Sequence, residues 1–530
     1  PSRCGRFFCI FILMNLNKIH QPFKDIFPGD HSRNSMQRKT PHVLYCEVIP
    51  EKFPRPELLL FNEKLSEEIG LGALNLSEDL PFLAAASFDK DKTPYATAYA
   101  GHQFGNWAGQ LGDGRAIIAG EIVNDKGQRT ELQWKGAGAT PYSRNADGRA
   151  VFRSSLREYL MSEAMHFLGI PTTRALSLLK TGEEVVRDMM YDGNPQSEQG
   201  AVLLRTAESF LRFGHFELLS ASGDHDLLKK LMDFTIDRYF PDIQRSGSER
   251  YLHWLQAVAR KTADTMVDWY RVGFVHGVMN TDNMSVLGLT IDYGPFAMIE
   301  EYDLNFTSNT TDLPGRRYAF GQQGHIAQWN LWQLLNAVYP ILKDQKELQC
   351  ILDDFGIYFW KRYDEMMAHK FGFPEVSDND VPFFTDWQNL MQDLKLDYTL
   401  FFIHLENVLK SSDLSRFDPS EISYKQLSEK EHKAFSELMI RYRRKIGAEA
   451  DTISTHQRTQ LMEKINPKFV LRNYLLYECI DEVSNGRTEM LDKLLDAIQN
   501  PYEMRSPEFA IKRPSKYNSV PGCSMLSCSS

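Results

Sequence analysis

Cysteine is scarce in this chain of 530 residues, and the seven present (Cys4, Cys9, Cys46, Cys350, Cys479, Cys523 and Cys528) form no Cys-x-x-Cys pair. Neither a disulfide scaffold nor a structural zinc site is expected, and a reducing compartment fits best. Long apolar runs are missing too. The longest, residues 7–14, falls far short of the roughly 20 residues needed to cross a bilayer, so no membrane span is expected. Basic charge is not in excess: 60 Lys and Arg against 70 Asp and Glu leave a formal net charge of −10. That argues against a general nucleic-acid binder, and any polyanion must be held in a local basic pocket. No internal repeat of useful strength is visible.

What is present is the composition of a folded protein, with 42% hydrophobic and 25% charged residues. At roughly 150 residues per domain, the length suggests two to four subdomains. The apolar run at the start follows Arg3 and Arg6 but lacks a small-residue cleavage site, so a secretory signal is a poor reading. Met14 could be the true start, and the basic, acid-free beginning also fits a mitochondrial presequence. Cytoplasmic localisation is expected, with the mitochondrion as the alternative.

Along the chain, the apolar runs 116–123 and 131–135 flank a turn at Asn124-Asp-Lys-Gly127 and read as a hairpin. Residues 149–168 carry helical periodicity, with Asp147-Gly148 available as a cap. Strand-like segments follow at 175–179, 184–190 and 201–205. Beyond Pro241 the pattern turns helical, at 253–272, 327–342, 351–369, 387–409, 429–445 and 474–497. A small β-rich lobe followed by a larger helical lobe is the α+β layout of a two-lobed, kinase-like nucleotide-binding fold, although layout alone carries little functional weight.

Several residues could carry chemistry. Gly109, Gly112 and Gly114, with Arg115, would let backbone N–H groups approach phosphate oxygens, or would simply make a tight turn. Lys135 at a strand end and Glu158 on the following helix match the kinase device for gripping nucleotide phosphates, or form an ordinary surface pair. Arg205 and Arg212, seven apart, would share a face if the segment between them were helical and could then converge on one polyphosphate. Asp147-Gly148 reads as a cap or as part of the same site.

The segment His276-Gly-Val-Met-Asn-Thr-Asp-Asn283, followed by Asp292-Tyr-Gly294, has the His-x-Asp-x4-Asn and Asp-x-Gly spacing of kinases. Val278 stands where the catalytic aspartate belongs, and an aliphatic side chain cannot accept a proton. Asp282 supplies a carboxylate nearby. Asn283 and Asp292 offer an amide oxygen and a carboxylate suited to a hard cation such as Mg²⁺.

Taken together, these motifs resemble the selenoprotein O family (the YdiU group) of pseudokinase-fold enzymes, over about residues 41–500. The stretches 101–115, 133–144, 276–294, 311–320 and 466–473 carry the resemblance. It implies a protein adenylyltransferase that holds ATP head-to-tail reversed relative to kinases and passes AMP to a Ser, Thr or Tyr hydroxyl of an acceptor protein, releasing pyrophosphate. It further implies that Gly112, Gly114, Arg115, Lys135, Asp147, Gly148, Arg205, Arg212 and Asp292 bind ATP. Asn283 and Asp292 would hold Mg²⁺, or Mn²⁺ in its place. Asp282 would be the proton acceptor, and Glu158 would orient Lys135. The alternatives are a conventional kinase and an inactive ATP-binding scaffold. No nucleic acid or membrane partner is expected, and the sequence does not determine an oligomeric state.

The expected organisation is a poorly ordered, targeting or upstream segment (1–40), a lead-in with the N-lobe (41–215), a C-lobe carrying the metal and catalytic loops (216–385), a helical extension (386–500) and a flexible tail (501–530). Cys523 and Cys528 in that tail, the latter where many animal relatives carry selenocysteine, could form a small redox pair.

Overall fold

The computed structural model describes residues 14–377, 379–411 and 416–527. Its first half is organised by a mixed sheet of nine strands. In spatial order these are Gly29–Asp30, Tyr45–Glu47, Tyr95–Thr97, Ala116–Val123, Arg129–Lys135, Gln196–Ala207, Arg174–Arg187 and Glu57–Phe61, with Ala150–Val151 paired to Gln196–Ala207. All neighbours are antiparallel except the first pair.

The hairpin at Ala116–Val123 and Arg129–Lys135 forms where β-branched residues flank the turn, and the Asn124 side chain accepts backbone N–H bonds from Lys126 and Gln128. Successive strand residues face opposite ways. Ile117, Trp134 and Leu204 pack into one core cluster; Ile118 and Leu203 pack into the other, with helix Phe152–Phe167. The sheet is therefore buried on both faces, so polar residues inside it need partners. Phe152–Phe167 starts later than the periodicity suggests. Its N-cap is Val151, without a side-chain cap, so Asp147-Gly148 does not cap it.

The second half is helical, led by Gly247–Val272, Gln323–Leu342 and Gln345–Lys370. Two expected helices are each split in two. The 387–409 run becomes Asp380–Asp393 and Tyr398–Lys410, because the Asp397 side chain accepts the Leu400 N–H as a new N-cap while also pairing with Arg472. The 474–497 run becomes Asn473–Ser484 and Glu489–Gln499, separated at Gly486. Helix Glu489–Gln499 packs on Phe152–Phe167, tying the C-terminal part to the sheet-bearing half. Among the described residues, no helix is long and apolar enough to cross a membrane.

Both ends fold more than expected. Within the 1–40 segment, residues 14–40 pack in place, with Phe23 and Phe27 in the core and His20 exchanging backbone bonds with Glu121; residues 1–13 lie outside the described residues. In the 501–530 segment, Phe509, Tyr517, Cys523 and Leu526 are buried, and Thr310 N–H donates to the Leu526 carbonyl (2.7 Å). Scattered single apolar residues anchor a segment without producing a periodic signal. Burial pushes the Cys523 thiol up to about 12, which opposes thiolate reactivity; its expected partner Cys528 lies outside the described residues.

A buried carboxyl outside the cleft sets a stability test. Glu131 accepts from Phe210 N–H (2.8 Å) and Ser209 Oγ (3.3 Å), and burial pushes its carboxyl up from 4.5 to about 7. A folded-state value above the unfolded one contributes stability that is fully present below the unfolded value and lost as pH rises through the folded one. Glu131→Gln should therefore raise the urea midpoint at about pH 8 and leave it nearly unchanged at about pH 4, a difference of about 1–3 kcal/mol. Equal shifts at both pH values would contradict the assignment.

Candidate active site

Strands Arg129–Lys135 and Gln196–Ala207 are in a register that sets Leu203 opposite Lys135 and Arg205 opposite Gln133. Side chains two apart on a strand share a face, so Gln133, Lys135 and Arg205 point together toward helix Phe152–Phe167. Lys135 Nζ lies 2.5 Å from Glu158 Oε2, and Arg205 Nη1 donates to Glu158 Oε1 (2.9 Å). Arg205 also donates through Nε to Gln133 Oε1 (2.8 Å) and through Nη1 to Asp292 Oδ1 (2.5 Å). Arg212 donates to the other oxygen, Asp292 Oδ2.

The two arginines converge, but not by the helical route the spacing suggested. Arg205 is in the strand, which ends at Ala207, and Arg212 is the N-cap of helix Phe213–Ser222. An extended segment and a turn bring them to one carboxylate.

Three cations thus face two carboxylates in a buried setting. Burial pulls the Lys135 ammonium down to about 8; Glu158 resists this, while Arg205 and Arg115 add to it. Asp292 is desolvated, yet Arg212, Arg205 and Lys135 hold its carboxyl well below the usual range. Its backbone is left-handed (φ 55°), a conformation that aspartate tolerates better than most residues.

The loop bearing Asp282 is fixed from several sides. His276 stacks on Trp269 (centroids 5.4 Å) and its Nε2 lies 2.8 Å from the Ile291 carbonyl. Arg212 Nη1 donates to the Asp282 carbonyl (2.9 Å), and Gln103 Nε2 to Asp282 Oδ2 (3.2 Å). Asp282 Oδ1 is buried without a hydrogen-bond partner, and burial pushes this carboxyl up to about 6. Asn283 Nδ2 donates to the Val278 carbonyl (2.9 Å), which leaves its amide oxygen as the free acceptor.

A cleft of about 750 Å³ brings Gly112, Gly114, Arg115, Lys135, Asp147, Gly148, Arg205, Arg212, Asp282, Asn283 and Asp292 to one lining. Glu158 stands behind Lys135, as an orienting partner should. Val278 also lines the cleft. Gly109 does not; it belongs to strand Asn106–Gln110. Close packing explains two of the glycines: a Cβ at Gly112 would come within 2.4 Å of the Tyr142 ring, and one at Gly148 within 2.1 Å of the Gly138 carbonyl oxygen. Asp147 sits at the exposed mouth in a bidentate pair with Arg187 (2.7 and 2.8 Å).

Tyr99, Gln103 and Asn280 also line the cleft and Gln133 supports Arg205, although none of the four is among the site residues expected from the sequence. Tyr99 lies under Arg212 (4.8 Å to the ring centroid), and Asn280 Oδ1 accepts from Tyr318 (2.6 Å) and from Phe104 N–H (3.2 Å). Gln133 had one legible signal, its period-two spacing from Lys135.

The family described as "Protein adenylyltransferase SelO" matches residues 31–499. This chain belongs to that family. It is 46% identical over 521 residues to a protein nucleotidyltransferase YdiU of Cytophaga hutchinsonii, covering 98% of this chain and 99% of the relative. YdiU proteins of Azoarcus sp. (45% over 511 residues; 95% and 97% covered) and Methylobacillus flagellatus (45% over 518 residues; 95% and 98% covered) are similar to it. Membership makes the chain an enzyme of the protein nucleotidyltransferase class. Among its described residues, no group of three His, Cys, Asp or Glu forms a metal cage. The amide oxygen of Asn283 and the carboxylate of Asp292, whose two oxygens accept from Arg205 and Arg212 here, are the oxygens that would take a cation completing its shell with substrate phosphates.

Proposed function

We propose that this protein transfers AMP from ATP to the hydroxyl of a Ser, Thr or Tyr on an acceptor protein, with the nucleotide reversed in a kinase-like two-lobed cleft. The observation that carries this reading is the charge gradient. Lys135, Arg205 and Arg212 are buried at the floor, with Arg115 in the same lining, and they outnumber the paired Glu158 and Asp292. Burial pushes the Asp113 and Asp282 carboxyls up toward the neutral form, whereas Asp147 and Arg187 are at the mouth. The triphosphate tail is the anionic end of ATP, so it is the end that a cationic floor favours.

With the tail inward, Arg115, Gly112 and Gly114 line the path of the phosphates, and Asp147 with Gly148 meets the nucleoside end. Glu158 orients Lys135. Asn283 and Asp292 would hold Mg²⁺, or Mn²⁺, which when bound neutralises phosphate charge. The acceptor oxygen bonds to the α-phosphorus as its proton passes to the Asp282 carboxylate. The bond from that phosphorus to the bridging oxygen breaks, and the electron pair leaves on pyrophosphate. Lys135, Arg205 and Arg212 stabilise the charge growing on the leaving group through fixed donors in a water-poor site. Displacement at the α-phosphorus removes any need for a base at Val278.

ATP labelled separately at the α and γ positions tests the reading. The α-label should appear on protein. The γ-label on protein would instead indicate a kinase, and no label on protein a scaffold.

A further inference from the structure

Strands Ala100–Gln103 and Asn106–Gln110 form a separate hairpin beside the cleft. Its inner end holds the loop of the proposed proton acceptor. His102 N–H donates to Thr281 Oγ1 (2.7 Å), Gln103 Nε2 to Asp282 Oδ2 (3.2 Å) and Phe104 N–H to Asn280 Oδ1 (3.2 Å). Trp107, directly opposite His102 in the hairpin register, is 46% exposed. The His102 ring packs between Trp107 (centroids 5.0 Å) and Trp329 (5.5 Å).

From Trp329 an aromatic stripe continues along helix Gln323–Leu342. Trp332, one turn on, is 46% exposed, and Tyr339, two turns further, is 43% exposed. The Arg317 guanidinium lies over Trp329 (4.6 Å to the ring centroid) and against the hairpin turn, where a Cβ on Gly105 would be 3.2 Å from its Cζ. Its Nε is buried without a hydrogen-bond partner, and the buried Asp312 carboxylate, which accepts the Arg317 backbone N–H (3.0 Å), acts on the guanidinium electrostatically.

The contacts of His102 with Trp107 and Trp329, with Arg317 over Trp329, link the exposed Trp107 to the helix that bears Trp332, and Gln103 links the same hairpin to Asp282. Tryptophan and arginine are the side chains that dominate protein-binding energetics, and folding does not require their exposure. Resting on the adenylyltransferase reading, we propose that this hairpin-and-helix surface docks the acceptor. It takes a segment with an apolar side chain on Trp107 and Trp332 and a carboxylate on Arg317, which brings a neighbouring hydroxyl to Asp282. The occupant is an acidic, apolar-flanked segment of an acceptor protein. Its cation partner is Arg317, and continuity with the cleft gives it its place.

The test uses the full-length protein, α-labelled ATP and arrayed peptides, each with one Ser, Thr or Tyr and with varied apolar, acidic or basic flanks. The wild-type protein should label peptides with apolar and acidic flanks best. Trp107→Ala and Trp332→Ala should each lose about tenfold of that labelling. Arg317→Glu should lose the acidic preference and gain labelling of basic-flanked peptides, a reversal that misfolding cannot produce. Binding of a non-hydrolysable ATP analogue should be unchanged in all three. Unchanged peptide preference in the variants would overturn the docking site while leaving the transfer reading intact. So would loss of a dimer in sedimentation without any change in peptide labelling, which would assign the surface to a second copy. Absence of α-label from every peptide and protein with the wild type would overturn the transfer reading and the docking site with it.

Discussion

Asp292→Ala should abolish transfer of labelled AMP and lower the thermal midpoint in the same protein. Asp292 lies between the sheet and the helical half, accepting from Arg205 and Arg212 with Lys135 3.9 Å away. Without it, Lys135 and Arg205 keep Glu158 as their ion-pair partner, while Arg212 keeps only the weaker influence of the buried Asp113 and Asp282 carboxyls. Leaving buried charge uncompensated costs about 3–5 kcal/mol in a dry interior. With the Asp292 side chain 21% exposed, the lower part of that range is expected. Transfer should fall about a thousandfold or more, since both the proposed metal ligand and the group that poises the arginines are lost. Calorimetry and α-label incorporation check the two effects separately. Activity retained at saturating Mg²⁺ would remove Asp292 from the metal site, and an unchanged midpoint would show that the ion cluster does not hold the halves together.

Asp282→Asn should have the opposite signature, with transfer lost and the fold kept. The buried Asp282 carboxyl has one unpartnered oxygen, and its pKa is pushed up by burial. Replacing it with a neutral amide therefore costs the folded state little. As the proposed proton acceptor it should contribute about 10²–10⁴-fold to the rate. Affinity for a non-hydrolysable ATP analogue should be unchanged, because the carboxylate serves the acceptor rather than the nucleotide. Near-normal transfer by Asp282→Asn would require a different acceptor for the proton.

Much of this site is legible in one dimension because its chemistry rests on short local spacings. The 276–294 segment carries Asp282, Asn283 and Asp292, and the hairpin around Asn124 forms as its turn residues dictate. Lys135 and Glu158 meet because a strand end and the next helix pack face to face. Long-range geometry is what local pattern misses. Arg205 and Arg212 share a target through a strand and a turn, not a helix face. Asp397 breaks a helix because Arg472, 75 residues away, needs its carboxylate. Gln103 and Trp107 gain meaning only when the hairpin docks beside Asp282. The tail shows no periodicity, yet Phe509, Tyr517 and Leu526 each find a separate buried place.

The direction of the bound nucleotide decides most directly between transfer of AMP and transfer of phosphate. A crystal structure with a non-hydrolysable ATP analogue should place the third phosphate against Lys135, Arg205 and Arg212 and the adenine toward Asp147 at the mouth. Adenine at the cationic floor, with the third phosphate at the opening, would contradict it.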